Sequence, residues 1–139
     1  MTYSMVDVLG SVITGMKANT GISGVVSTRI YRDELPPLPT FPAIVASYVD
    51  DLGTGDSGTT NYAQARIQCS CYATTGKGYT AFNLSKLVKK YLHNMTNVTL
   101  HGSNLVSIVD MGAVPDSNQE VTPAIYMVHR DFMVRYRDQ

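Results

Sequence analysis

The sequence predicts an α+β fold with two main helices and four to five strands, in the order helix, two strands, helix, two or three strands. Three observations carry that prediction. Two stretches place apolar residues three and four apart, two others alternate with a period of two, and turn-forming residues separate them. At 139 residues the chain has the size of one ordinary domain. No internal repeat or second unit is evident, so residues 1–139 read as a single domain. A chain of this length buries roughly 65–70% of its unfolded surface, enough for a core without a metal or a disulfide.

Residues 3–17 place Val6, Leu9, Ile13 and Met16 on one helical face, with a start near Thr2 or Ser4. Gly10 and Gly15 weaken this helix by about 1 kcal/mol each relative to alanine, so it depends on tertiary packing. Asn19–Thr28, rich in Gly, Ser and Thr, reads as a connector. Arg29-Ile30-Tyr31 is a short extended piece. It precedes Leu35–Pro42, where four prolines in seven residues exclude helix and favour an extended polyproline connection over a docking motif.

Ala43–Asp50 is β-rich. Asp51, Leu52, Gly53, Thr54, Gly55, Asp56, Ser57, Gly58, Thr59, Thr60 and Asn61 then form a loop by turn chemistry. Long loops in small domains are often functional, so this one is the candidate assembly loop. Tyr62–Tyr72 alternates Ala63, Ala65, Ile67, Cys69 and Cys71 with polar residues, the pattern of a half-buried strand. With 43–50 it makes a long-looped antiparallel hairpin. Over 78–95, Phe82, Leu84, Leu87, Val88, Tyr91, Leu92 and Met95 form an apolar helical stripe flanked by Lys86, Lys89 and Lys90. Thr74 or Thr75 is the expected cap.

Val98–His101 and Leu105–Asp110 are short strands split by Gly102-Ser103-Asn104, and Pro115–Glu120 reads as a turn. Ala124–Arg137 sets Tyr126, Val128, Phe132, Val134 and Tyr136 on one face, which Arg130 interrupts. Arg135 and Arg137 fall on the other face, either solvated or meeting acidic groups of a neighbouring subunit. This closing strand is the expected architectural centre.

Eleven basic residues balance eleven acidic ones, and no basic stripe marks a nucleic-acid grip. Only 16% of residues are charged, below the usual ~25%, which hints at surface covered by a partner. No apolar run approaches the ~20 residues of a membrane span. Met1 to Val8 lacks the early Lys or Arg of a secretory signal, so a cytoplasmic site of synthesis is expected.

The search for chemistry finds no active site. Cys69 and Cys71 point to the same face of a strand, too far apart to bridge without distortion, and read as reduced core thiols. No paired short spacing supports zinc, and no cofactor is expected. His129-Arg130-Asp131 matches a kinase tripeptide without the glycine loop or strand lysine that would give it meaning. Gly76-Lys77-Gly78 opens a helix but lacks the P-loop pattern.

The order of landmarks is more informative. An amphipathic helix leads to Arg29-Ile30-Tyr31, a proline run ending Phe41-Pro42-Ala43-Ile44-Val45, and a polar loop. Ala65-Arg66-Ile67-Gln68-Cys69-Ser70-Cys71-Tyr72-Ala73, a long helix and Asp131-Phe132-Met133-Val134-Arg135-Tyr136-Arg137 follow. This series resembles the tail-completion, or tail-terminator, proteins of long-tailed phages over essentially the whole chain. The resemblance implies helices packed on one face of a mostly antiparallel sheet, with no catalytic residues and no cofactor. It also implies a homo-oligomer, typically a hexameric ring, seated at the head-proximal end of the tail. The tail-tube protein would lie on one side and a head-side connector or neck protein on the other. DNA would pass through the bore without specific binding, and no membrane is involved. Two other virion roles, a neck or head-completion subunit and another tail-tube-like ring protein, share these features. A small-molecule or peptide-binding module and an enzyme are the readings outside that class.

Overall fold

In a computed structural model, residues 7–53 and 62–137 are described. The elements are α1 (Val8–Ala18), α2 (Thr20–Val26), β1 (Ile30–Arg32), β2 (Ala43–Gly53), β3 (Tyr62–Ala73), α3 (Tyr79–Leu92), β4 (Thr96–Leu100), β5 (Ser103–Asn118) and β6 (Ile125–Arg137). One six-stranded sheet has the order β1-β2-β3-β6-β5-β4. Only β1 and β2 run parallel, Ile30 opposite Ile44; every other neighbour is antiparallel. The α+β class and mostly antiparallel sheet match expectation. Among the described residues there are six strands rather than four to five and three α-helices rather than two.

The extra helix is α2, in the segment read as a connector. The Asn19 side chain accepts from the Ile22 N–H at 3.1 Å, and Ile22 and Val26, four apart, are both buried. Packing thus overrides the poor propensity of Gly21 and Gly24. Asp7 caps α1, accepting from the Gly10 N–H. The expected start at Thr2 or Ser4 and the apolar Val6 lie outside the described residues. Gly15 is buried because α1 runs close to its neighbours. A Cβ there would stand 2.5 Å from the Tyr91 hydroxyl and 3.2 Å from Leu100 Cδ1.

Helix α3 starts later than expected. A one-turn 3₁₀ helix, Gly76–Gly78, precedes it, and Gly78 in the left-handed region takes the cap position in place of Thr74 or Thr75. Leu84, Val88 and Leu92 are buried as the stripe predicts, whereas Phe82 is exposed. The proline run does not extend. It bends at Asp33-Glu34, Pro37-Leu38 and Phe41-Pro42. Because β2 is parallel to β1, the chain must double back to begin it, and Arg29 Nε ties the return by donating to the Pro42 carbonyl at 2.9 Å.

All three helices share one face of the sheet with the core. Ala65, Ile67, Cys69 and Cys71 of β3 and Phe132, Val134 and Tyr136 of β6 point into it with Leu9, Val12, Met16 and Leu84. The sheet curls around α1, which touches both of its sides. At one side, Asp7 accepts from Arg32 at 2.6 Å and the Leu9 N–H donates to the Tyr48 hydroxyl at 3.0 Å. At the other, the Ser11 hydroxyl donates to the His101 carbonyl at 3.0 Å and lies 2.6 Å from the Ser103 hydroxyl.

Cys69 and Cys71 are buried and unbridged. Burial pushes the Cys69 thiol up to about 12 and raises Cys71 well above its ordinary value. Neither thiol should react with Ellman's reagent at neutral pH in the native protein, and both should react in concentrated urea. Cys69→Ala and Cys71→Ala should each lower the urea-derived stability by about 1 kcal/mol, or more where a cavity remains.

Candidate functional site

Strand alternation divides the polar residues of β6 between two faces. Arg130 points into the helix side, while His129 and Asp131 point outward. The kinase-like tripeptide is therefore split across a sheet and forms no single site. Inside, Arg130 donates to both Asp110 oxygens at 2.9 and 3.0 Å, with Lys89 3.7 Å from the same carboxylate. Outside, Asp131 Oδ2 accepts from Arg66 Nε and Nη2 at 2.9 and 2.6 Å, and its Oδ1 accepts from Gln68 at 2.9 Å.

Next to that cluster, the Ser70 hydroxyl lies 2.7 Å from His129 Nδ1, and His129 Nε2 lies 4.0 Å from Asp116. The residue types are those of a hydrolytic triad, but the surroundings are not. Ser70 is buried on a central strand whose backbone is paired on both sides, with Val45 of β2 and His129 of β6. Amides held in ladders cannot turn toward a developing oxyanion. The three side chains act as a cross-strand polar ladder. Among the described residues no cluster of three His, Cys, Asp or Glu side chains could hold a metal ion.

Past the end of β4, β5 continues through the expected turn to Asn118 and forms a hairpin with β6, whose other edge stays paired with β3 as far as Ala73. A bulge between Asp110 and Ala113, with Gly112 at φ +101°, lets β5 bend there. Val109 and Val114 are exposed along it. Between the hairpin and the start of α3 lies an open groove of about 520 Å³, lined by Lys77, Tyr79, Phe82, Tyr126 and Met127 among others. β4 forms one sheet edge, exposed along most of its length.

Of the predicted assembly residues, Asp51, Leu52 and Gly53 continue β2, and residues 54–61 lie outside the described residues. Arg135 is exposed on the outer face opposite Gln64 and Ser107. Arg137 is exposed at the end of β6, beside Asn97 and Asn104. Sequence reasoning missed the groove. Its one legible signal was Phe82, which sits off the buried line of α3.

A family model described as tail completion protein gp17 matches residues 10–130. The chain belongs to that family. Its fold is similar to that of a chain in the virion of a native gene transfer agent particle. That match has 20% identity, covers 92% of each chain and has a TM-score of 0.72. A second solved chain matches at 10% identity over 96% of each chain, with a TM-score of 0.60. No curated protein matches. This tail-completion chain is thus a virion structural protein with a role in the tail.

Proposed function

We propose that the protein caps the head-proximal end of the tail tube as a ring, hexameric by analogy with its family, which stops tube growth and joins the tail to the head-side connector. Family membership over residues 10–130 is the observation that carries this reading. Physical features agree with it. A closed ring needs a patch and a different, complementary patch on each subunit. The hairpin groove, the β4 edge and the bent proline run are distinct surfaces of that kind. The low charge content and the exposed Val109 and Val114 suit surfaces that neighbours cover.

The test is a map of assembled tails. Several copies around the axis at the head-proximal end are expected, whereas a single axial copy or none at that end would sink the proposal. Assembly before head joining takes place in the host cytoplasm on this reading. Residues 51–61 are proposed as an assembly contact, with Arg135 and Arg137 as inter-subunit charges. Shortening 54–61 should leave the urea midpoint of the subunit unchanged while lowering its incorporation into tails. A truncation that unfolds the subunit would assign the segment to the core instead.

A further inference from the structure

Strand β5 loses its neighbour on one edge well before it ends. β4 pairs with it only from Ser103 to Ser107. The chain leaving α3 then holds that edge a little further: the Asn94 N–H donates to the Ile108 carbonyl and the Ile108 N–H donates to the Met95 carbonyl, both at 3.0 Å. The last tie is a side chain. The Asp110 N–H donates to His93 Nδ1 at 3.0 Å. Beyond it, among the described residues, no hydrogen bond joins this edge of β5 to another element. The bulge to Ala113 follows at once, with Gly112 at φ +101°. His93 therefore grips β5 where it bends, just before the hairpin that borders the groove.

A ring nitrogen accepts a hydrogen bond only while it carries no proton. With a backbone N–H aimed at Nδ1, the half-buried imidazole is neutral and keeps its proton on Nε2. A second proton would go to Nδ1 and set two donors against each other at hydrogen-bond distance. The surrounding charges do not repair that loss. α3 contributes Lys89 and Lys90 within its last turn, β5 contributes Asp110 and β6 contributes Arg130, while β4 carries no charged residue. The Asp110 carboxylate is already shared by Arg130 at 2.9 Å and Lys89 at 3.7 Å, so a cationic His93 would be one more positive charge around a single acid. His93 is the C-cap of α3, whose terminal carbonyls favour a cation. They cannot give the Asp110 N–H another acceptor.

We propose that His93 is a proton-sensitive tie, which fixes the bend of β5 while neutral and releases it when protonated. The device stands independently of the ring reading. The range that tests it is about pH 8 to 5.5, which brackets the ordinary histidine titration at ~6.5. Asp110 stays ionised throughout, because its carboxyl lies below the ordinary 3.8, so release of the tie is separate in pH from loss of the Arg130 ion pair. Amide exchange, corrected for its intrinsic pH dependence, should show the protection of Asp110 falling about fivefold or more across that range, while Ile67 in β3 keeps its own. His93→Gln, uncharged at both ends of the range, should abolish the pH dependence. His101→Gln and His129→Gln should leave it intact. In the wild-type protein at pH 8, imidazole ¹⁵N shifts should show Nδ1 of His93 unprotonated, a readout that needs no variant to fold. A proton on Nδ1 at that pH, Asp110 protection that does not change with pH, or a change that persists in folded His93→Gln overturns the proposal.

Discussion

Phe132→Ala should destabilise the subunit by about 3–5 kcal/mol, a large share of the 5–15 kcal/mol typical of a domain. Phe132 is 1% exposed and has the greatest volume among the fully buried side chains. It stands on β6, between Ile67 of β3 and Asp110 of β5, so its ring fills the middle of the sheet under the helices. Burying a phenylalanine contributes roughly 2–3 kcal/mol, and the void left by alanine adds to the loss because central strands relax little. Arg135→Ala, on the exposed outer face three residues away, should stay within about 0.5 kcal/mol of wild type. Urea midpoints for the two variants decide the matter. An unchanged midpoint for Phe132→Ala together with unfolding by Arg135→Ala would mean that β6 faces the other way.

The second large effect is expected at Asp110. Arg130 is buried on the core side, and its Nε has no hydrogen-bond partner among the described residues, so the Asp110 carboxylate is its main compensation. Asp110→Ala leaves that guanidinium uncompensated and should cost about 3–5 kcal/mol. Arg130→Met should cost clearly less, because it removes the buried cation and leaves Asp110 beside Lys89. Equal losses for the two variants would show that packing, not charge, dominates the site.

Acid gives an independent check. Burial is the largest single influence on Asp110 and pushes its pKa up, but the Arg130 hydrogen bond and charge, the Gly112 N–H and Lys89 together bring it below the ordinary 3.8. A depressed folded-state pKa means that this stabilisation is complete above 3.8 and disappears as the pH falls through the lower folded value. The stability gap between wild type and Asp110→Asn should therefore be wide at neutral pH and close in strong acid. A gap that widened on acidification would contradict the ion pair.

Much of the fold was legible because it depends on period. Alternation in Tyr62–Tyr72 and in the last strand placed Cys69, Cys71, Phe132, Val134 and Tyr136 on the buried face, and helical spacing placed Leu84, Val88 and Leu92. Such patterns reflect one element against one core, which local sequence records. The family was legible too, through the order of these elements.

What escaped depends on partners distant in the chain. α2 looked like a connector because glycines hide a helix that only packing of Ile22 and Val26 sustains. β5 looked shorter because its polar end becomes a strand only when Ile125–Val128 lies beside it. Arg130 looked like an error in an apolar face until Asp110, twenty residues earlier, met it. The groove and the exposed Leu38 are likewise matters of placement, since no local pattern in residues 33–42 or 77–82 marks which side chains stay uncovered. Periodicity sets which face a residue takes, while curvature, bulges and long-range ion pairs set which faces meet, and those arise only when the whole sheet has closed around α1.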